Sequence, residues 1–467
     1  MTRPPSEILK VGTLAAYAAP AAPISALGLP IAVYLPPFYA EEMGLGLSLV
    51  GAVFMLTRFW DVIIDPLIGI ASDRFATRWG RRRVWMVLGT PITMFCAAAV
   101  FMPTPPVSGT YLLGWLMALY VGWTLLMISH MSWGAELSPD YHQRSRVQGW
   151  REVCLILGMV TVLALPAIIE RSGSHTAGAD RVAAMGWFII VLLPFTVGLA
   201  VTTVPERPTG HTEPLGMRRG ATLVIENRPL RRVLLMDLVS GYAGGIVASL
   251  FLFVATSVLG LGGSASLLLL VYFTAGCLFI PLILRISYRL GKHRTLAVSS
   301  IVNGLALPLI FLIPHGNVGV AAVLFVLFGF NMGAGPLLFR SIMADVADED
   351  HVTSGAQRTG LYYSLLVMTN KVGAALAIGS VYVLLDWIGY VPGTENTPAA
   401  IQGLTYLFAA PTIVASLAVA AIMWNFPLGV ERQRELRGIL ESRATAQHGV
   451  EAAAADAAAR HRVGVHN

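Results

Sequence analysis

Two aspartates, Asp61 and Asp65, lie four positions apart inside a stretch that is mostly apolar from position 49 to position 71. An ionised carboxylate costs about 2.5 to 3.5 kcal/mol to hold at the centre of a bilayer, so the pair needs a partner. Arg58 precedes them at a spacing that puts all three side chains on one face of a helix. One arginine then faces two carboxylates, and we expect the remaining negative charge to bind a proton or a metal ion.

Pro66 follows the second aspartate and cannot donate a hydrogen bond to the carbonyl of Val62, four residues back. That carbonyl oxygen is therefore free to contact a small cation beside the pair. The alternative is that both aspartates only form ion pairs that join helices. No zinc-type spacing, P-loop or nucleophile motif occurs in the sequence, so we expect neither an enzyme nor a bound cofactor or metal cluster.

The rest of the chain has the composition of a membrane protein. Of its 467 residues, 55% are hydrophobic and 12% are charged, whereas soluble domains have about 25% charged residues. Twelve apolar runs reach the length of about 20 residues that spans a bilayer as a helix. They lie near 13–38, 46–71, 84–103, 110–134, 150–169, 183–204, 233–258, 265–287, 295–314, 318–341, 359–385 and 401–426. The predicted fold class is an all-α membrane protein.

Lysine and arginine are concentrated in every second loop, as they are on the cytoplasmic side of membrane proteins. These loops hold residues 74–83, 144–146, 207–232, 285–294 and 432–437. Both termini are therefore predicted to be cytoplasmic, and the net charge of +6 indicates topology rather than a nucleic-acid surface. Arginine far outnumbers lysine, a bias that suits a GC-rich bacterial genome, so we expect a bacterial inner membrane.

Two loop motifs recur at nearly one offset. The segment RWGRRR at 78–83 returns as RLGKHR at 289–294, and AEL at 135–137 returns as ADV at 344–346. These offsets of 211 and 209 residues predict two six-helix halves, 1–205 and 233–427, with a linker at 206–232 and a tail at 428–467. Equal numbers of spans make the repeats parallel, as in large secondary transporters with a site at the midplane.

Several motifs carry a family resemblance. The stretch GIASDRFATRWGRRR at 69–83 resembles the loop between helices 2 and 3 of the major facilitator superfamily. The segments RFWDVIIDPLIG at 58–69, GAELSPDYHQRSRVQGWR at 134–151 and ADVADEDHVTSGAQRTGLYYSLLVMTNKVGAAL at 344–376 are similar to the glycoside-pentoside-hexuronide:cation symporters, the group of the melibiose permease. The resemblance implies the major facilitator fold, with twelve helices in two pseudo-symmetric halves that move by alternating access.

The resemblance also implies roles for individual residues. The family's coupling-ion carboxylates map onto Asp61 and Asp65, and its cavity lysine maps onto Lys371, for which the alternative is a lysine that reaches the membrane surface. Trp133 and Arg151 match positions that line the substrate cavity, although the tryptophan also suits the interfacial aromatic belt. The implied gate residues are Asp73, Arg74, Arg81, Glu136 and Asp345, the last two with Arg146 and Arg340 nearby.

The chain departs from the family's disaccharide carriers at two sugar-binding acids. Ser25 stands where they have an acid in helix 1, and Ser129 stands where they have an aspartate in helix 4. Both serines remain candidate substrate ligands. Without the paired acceptors a galactoside is not expected. Lys371 and Arg151 then favour an anionic or amphipathic solute, such as a uronide, an acidic glycoside or a lysolipid.

The choice of coupling ion depends on the number of oxygens around the pair. Hard cations are held by several oxygen ligands, and sodium-using relatives place Asn or Thr before the second aspartate, where this chain has Ile64. The family's helix 4 hydroxyl is replaced by Leu126, although Ser129 or Thr124 restores an oxygen if that helix is rotated. We therefore expect a proton, with Na⁺ at the aspartate pair as the alternative.

Together these features predict a monomeric twelve-helix secondary transporter that moves a small organic solute through a lipid bilayer by cation symport. Proton-driven efflux, or lysolipid transport by the same fold, is the alternative. A membrane enzyme or receptor without transport is the remaining alternative, and no nucleophile, metal cluster or sensor domain in the sequence supports it.

Overall fold

The computed structural model describes residues 9–75, 77, 79–138, 141–171, 178–206, 227–354 and 359–429, with short pieces at 431–436, 438–439 and 442. Twelve helices in this part of the chain are long and apolar enough to cross a bilayer. They are α1 (Val11–Glu41), α2 (Leu47–Arg74), α3 (Arg83–Phe101), α4 (Gly109–Glu136), α5 (Tyr141–Arg171), α6 (Gly178–Thr203), α7 (Arg228–Val258), α8 (Gly262–Leu290), α9 (Lys292–Leu312), α10 (Val318–Ser354), α11 (Thr359–Trp387) and α12 (Pro398–Trp424). The protein is a multi-pass integral membrane protein, and the predicted all-α fold class is confirmed.

The helices differ from the predicted spans mainly at three ends. α10 continues to Ser354 instead of ending near 341, and α5 begins at Tyr141 instead of 150. Both extensions are polar, so hydropathy falls while the backbone remains helical. α7 begins at Arg228, inside the predicted linker 206–232. The rest of that linker from 207 to 226, and the tail beyond 442, lie outside the described residues.

The loop motif that recurs in the sequence has a recurring backbone conformation. Gly80 and Gly291 occupy equivalent places in the two copies, and both have positive φ, 119° and 86°. Only glycine adopts this region without strain. At Gly80 space is also short, because a Cβ there would lie 2.0 Å from Oε2 of Glu206. The two halves of the predicted fold class therefore repeat in local geometry as well as in helix number.

The two halves are in contact at one end of the bundle. We call the end that carries Gly80, Gly291 and the described chain ends the basic end, and the opposite end the far end. At the far end Tyr34 of α1 donates to Ser266 of α8 at 2.8 Å, and the Ser266 hydroxyl donates to Glu170 of α5 at 2.6 Å. α2 also packs along α11. The structure is therefore closed at the far end.

Candidate cation and substrate site

A cluster of one lysine and two aspartates lies between the halves. Nζ of Lys371 on α11 is 2.7 Å from Oδ2 of Asp61 and 2.5 Å from Oδ2 of Asp65, both on α2. The hydroxyl of Thr124 on α4 donates to Oδ1 of Asp65 at 3.0 Å and lies 3.4 Å from Oδ1 of Asp61. Asp61 is only 2% exposed, whereas the side chain of Asp65 is 21% exposed. Asp65 is therefore the more accessible of the two carboxylates.

Small residues hold α2 and α11 close enough for this contact. A Cβ at Gly51 would lie 2.7 Å from Tyr382, and a Cβ at Gly379 would lie 2.3 Å from Met55. Glycine at such positions lets two helices in a membrane approach closely. Lys371 lies about two turns from Gly379 along α11, on the side of the basic end, and its long side chain spans the gap to the carboxylates.

Arg58 does not occupy the position that the sequence predicted for it. In the described structure the ion pairs of both aspartates are with Lys371. The guanidinium carbon of Arg58 lies instead 5.6 Å from the ring centre of Tyr120. A shared helix face fixes the direction of each Cα–Cβ bond, but it does not fix where a long arginine side chain ends. The cation that pairs with both carboxylates thus comes from the other half of the chain.

The predicted shortage of oxygens on α4 was also wrong. Thr124 supplies a hydroxyl to both carboxylates, while Leu126, which the alignment placed there, is fully buried elsewhere in the core. The helix is therefore rotated relative to that alignment, as the alternative with Thr124 anticipated. Ile64 is 4% exposed and contributes no oxygen, as expected.

Three of the predicted gate residues form matched ion pairs at the basic end. Glu136 accepts from Arg81 and from Arg82, each at 2.7 Å. In the second half Asp345 pairs with Lys292 at 2.7 Å. The first pair joins the loop before α3 to α4, and the second joins the start of α9 to α10. In this conformation these pairs lie within one half each and do not latch one half to the other.

The other predicted gate residues add little to these pairs. Arg146 donates to Gln143 at 2.9 Å, and the pairs described for the two acids do not include Arg146 or Arg340. Asp73 and Arg74 end α2, but their side chains lie outside the described part of the chain.

Trp133 is enclosed by protein and does not line a cavity in this conformation. It is 0% exposed, its Nε1 donates to the carbonyl of Pro205 at 3.2 Å, and the guanidinium of Arg83 lies 5.7 Å from its ring centre. The prediction of a sugar-stacking face is therefore wrong for this state, because both sides of the ring pack within the first half.

The main cavity of the protein is not lined by the remaining predicted substrate ligands, Ser25, Ser129 and Arg151. The Ser25 hydroxyl lies 3.0 Å from the carbonyl oxygen of Ala22 and 2.8 Å from that of Leu155, so it joins α1 to α5. Ser129 is 0% exposed, and its Oγ has no hydrogen-bond partner among the described residues. Nε of Arg151 is buried and has no hydrogen-bond partner among the described residues. Arg151 also does not line the main cavity.

The main cavity has a volume of about 350 Å³ and lies mostly within the second half. It extends to Leu296, one turn from the start of α9 at the basic end. Most lining residues are apolar, and aromatic rings come from α2, α7, α8, α10 and α12. Among the described residues, Arg58 is the only charged one that lines it. The uncharged polar residues of the lining are Ser240, Ser249, Ser300, Asn303, Asn331, Asn370, Thr412 and Ser416.

Sequence reasoning missed these polar residues. Single asparagines and serines in apolar spans have no spacing that distinguishes a ligand from a residue that bonds its own helix. The available signal was the presence of an asparagine in each of α9, α10 and α11, and only the packing of those helices brings the three to one cavity.

Comparison with known proteins identifies the family. The model of the family described as MFS/sugar transport protein matches residues 16–430. The chain belongs to this family. The glucuronide carrier protein homolog of Escherichia coli (strain K12) is 24% identical to it over 430 residues, which cover 89% of this chain and 92% of that protein. The human sodium-dependent lysophosphatidylcholine symporter 1 is 22% identical over 84% of this chain and 78% of that protein.

Solved structures of other transporters share the fold of this MFS protein. The nucleoside transporter NupG superposes with a TM-score of 0.65 at 16% identity, over 89% of this chain and 100% of that chain. The D-xylose-proton symporter superposes with a TM-score of 0.60 at 17% identity, over 89% and 96% of the two chains. The major facilitator fold is thus confirmed, and this family member is a membrane transporter rather than an enzyme.

Proposed function

We propose that this MFS transporter moves a small organic solute together with a cation, and that the aspartate pair on α2 is the cation site. The observation that carries the proposal is Lys371, which shares one ammonium between Asp61 and Asp65. One positive charge against two carboxylates leaves a net negative charge, which a bound cation balances. Because the cation and the lysine compete for the same oxygens, ion binding releases a contact between the halves and couples to their rocking.

A proton is the first candidate for the coupling ion. A carboxylate is protonated without a cage of ligands, and Ile64 contributes no oxygen beside Asp65. Na⁺ is the second candidate, and Thr124 favours it, because its hydroxyl contacts both carboxylates and oxygen is the ligand of hard cations. The sodium dependence named for the human relative supports the same candidate.

For the solute we propose an anion with a hydroxylated or apolar body, such as a uronide or an acidic glycoside. In the part of the chain that the structure describes, Arg58 is the only charged residue that lines the main cavity, so a negative group on the solute finds its partner there. The likeness to a glucuronide carrier homolog supports a uronide. The apolar lining and the likeness to a lysophosphatidylcholine symporter support a lysolipid as the second candidate.

We also propose that the basic end faces the cytoplasm, with both termini there, and that the protein works as a monomer in a bacterial inner membrane. The distribution of lysine and arginine supports the orientation, and bacterial symporter relatives support the location.

The test is uptake of radiolabelled solutes by proteoliposomes that contain the purified protein. Uronides, neutral glycosides and lysolipids are compared under a proton gradient, a sodium gradient and no gradient. Symport predicts accumulation above the external concentration only when an inward ion gradient is present. Equilibration without accumulation under either gradient would contradict symport, and accumulation only when the ion gradient points outward would indicate efflux.

A further inference from the structure

We propose that Asn303, Asn331 and Asn370 form a hydroxyl-binding subsite in the second half of the chain, which accepts hydrogen bonds from the transported solute. The inference rests on the proposed transport of an organic solute and adds where its polar groups bind. The three residues come from α9, α10 and α11, and all line the main cavity.

The orientation of Asn370 is set by a buried carboxylate. Its Nδ2 donates to Oδ1 of Asp237 on α7 at 3.3 Å, and the hydroxyl of Thr369 lies 3.2 Å from Oδ2 of the same residue. Asp237 is 4% exposed. The amide nitrogen of Asn370 therefore faces the carboxyl group of Asp237 in the structure. The amide oxygen is left to accept a hydrogen bond on the cavity side.

Asn303 has a similar constraint on the opposite wall. Its Nδ2 donates to Oγ of Ser416 on α12 at 2.9 Å. The amide nitrogen is thus used in joining α9 to α12, and the amide oxygen is available as an acceptor. On each of these two amides one N–H is bonded within the protein, which leaves the amide oxygen as an acceptor for a solute in the cavity, and Asn331 adds a third amide from α10.

Amide oxygens suit this cavity better than carboxylates would. The disaccharide carriers of the family use acids in helices 1 and 4, where this chain has Ser25 and Ser129, both outside the cavity lining. Amide oxygens accept a hydroxyl hydrogen without a negative charge, so they do not repel an anion that pairs with Arg58. Aromatic rings such as Phe325 and Phe328 offer faces to the apolar side of a sugar ring.

The proposal predicts a preference for solutes with hydroxyl donors, because a site with placed polar acceptors rejects analogues that leave them unpaired. Three probes separate the features: phenyl β-D-glucuronide has hydroxyls and a carboxylate, phenyl β-D-glucoside has only hydroxyls, and 4-phenylbutyrate has only a carboxylate. Binding to the full-length protein in nanodiscs is measured by calorimetry. We expect the glucuronide to bind at least about tenfold more tightly than the phenylbutyrate.

The variants Asn303→Ala, Asn331→Ala and Asn370→Ala should each weaken the glucuronide and the glucoside by several-fold and leave the phenylbutyrate unchanged. Asn425→Ala, at an exposed position after α12, controls for loss of an asparagine. Thr369→Val is the structural control. It also removes a hydrogen bond to Asp237, but Thr369 does not line the cavity, so this variant should keep the preference for hydroxylated probes.

Three results would overturn the subsite: a wild-type protein that binds no hydroxylated probe, equal affinity for hydroxylated and hydroxyl-free probes, or a loss in Thr369→Val as large as that in Asn370→Ala. These measurements use no ion gradient. Failure of gradient-driven accumulation in vesicles would therefore contradict symport and leave the subsite standing, and accumulation without any hydroxyl preference would contradict only the subsite.

Discussion

Nζ of Lys371 lies 2.5 Å from Oδ2 of Asp65, although the two residues are 306 positions apart and belong to different halves of the chain. The contact is an ion pair and a link between halves at once. Any cation that takes the place of the lysine must therefore both neutralise the carboxylates and release this link.

Asp65→Asn should abolish concentrative uptake and leave the protein folded and inserted. The substitution removes the charge that, in the proposed symport, binds and releases a cation in every cycle. Asparagine has nearly the same size as aspartate and keeps a contact to Thr124. We expect accumulation to fall to the level of empty vesicles, with exchange of solute between the two sides retained. Asp180→Asn, at an exposed position on α6, is the control. Accumulation at the wild-type level by the Asp65 variant would contradict the cation site.

Lys371→Ala should weaken an anionic solute by more than tenfold, or about 1.4 kcal/mol, because Asp61 and Asp65 lose their ion-pair partner and then repel an anion bound at Arg58. The variant should also destabilise the protein. Breaking a buried pair costs about 3 to 5 kcal/mol, and we expect roughly 2 kcal/mol here because the lysine side chain is 19% exposed. Adding Asp65→Asn should restore part of the lost thermal stability, since one unpaired charge is removed. Unchanged binding of every confirmed solute would show that the lysine is only structural.

The sequence was sufficient for the fold because a bilayer imposes a length and an apolar composition on each span. It failed where a helix leaves the membrane, as α10 does before Ser354, since a polar helix has no hydropathy signal. The repeated loop motifs around Gly80 and Gly291 could be recognised in the sequence. Both glycines have a positive φ, a conformation that glycine adopts without strain.

The site was predictable only in part, and the reason is tertiary. Asp61 and Asp65 were identified from the cost of a charge in an apolar span, and Lys371 was identified from the family resemblance, but their contact depends on how α2 packs against α11. Arg58 was assigned to the pair because helical spacing is the only geometry that a sequence offers. The asparagines of the cavity were not identified, because an uncharged side chain in an apolar span is too common to single out.

The contacts of Ser266 at the far end should favour the conformation closed there. Its hydroxyl donates to Glu170 at 2.6 Å and accepts from Tyr34 at 2.8 Å, and a net hydrogen bond contributes about 1 kcal/mol. Ser266→Ala removes both bonds, about 2 kcal/mol together, and should therefore shift the equilibrium about thirtyfold toward opening of the far end. The measurement is labelling of Ala32→Cys, which lines the cavity, by an impermeant maleimide added on the far side. The control, Thr394→Ala, alters an exposed loop within one half, and equal labelling in both variants would contradict the role of Ser266.

The matched ion pairs at the basic end should affect the rate of transport more than solute affinity. Glu136→Gln and Asp345→Asn each remove the acid of one of these ion pairs, and neither acid lines the cavity. We expect maximal uptake rates to fall several-fold while the equilibrium dissociation constant stays within about twofold, a difference under about 0.5 kcal/mol. Glu435→Gln breaks a surface pair whose glutamate is 57% exposed and should change neither quantity. A loss of affinity as large as the loss of rate would place these acids in binding instead.

Thr124 decides between the two candidate ions because it is the hydroxyl that both carboxylates share. Sodium requires several oxygens at once, so Thr124→Val, which keeps the volume and removes the oxygen, would abolish sodium-driven uptake. A proton needs only a carboxylate, and with protons as the coupling ion the same variant should keep gradient-driven uptake within a few-fold of wild type. We expect the proton result, with alkalinisation of a lightly buffered medium when solute is added and no effect when choline replaces sodium.

Thr57→Val is the matched control, since that buried hydroxyl bonds the carbonyl of Phe54 in its own helix and does not contact the aspartates. Strict sodium dependence at fixed pH, lost in Thr124→Val and retained in Thr57→Val, would reverse the assignment and identify Thr124 as the third ligand of a sodium site.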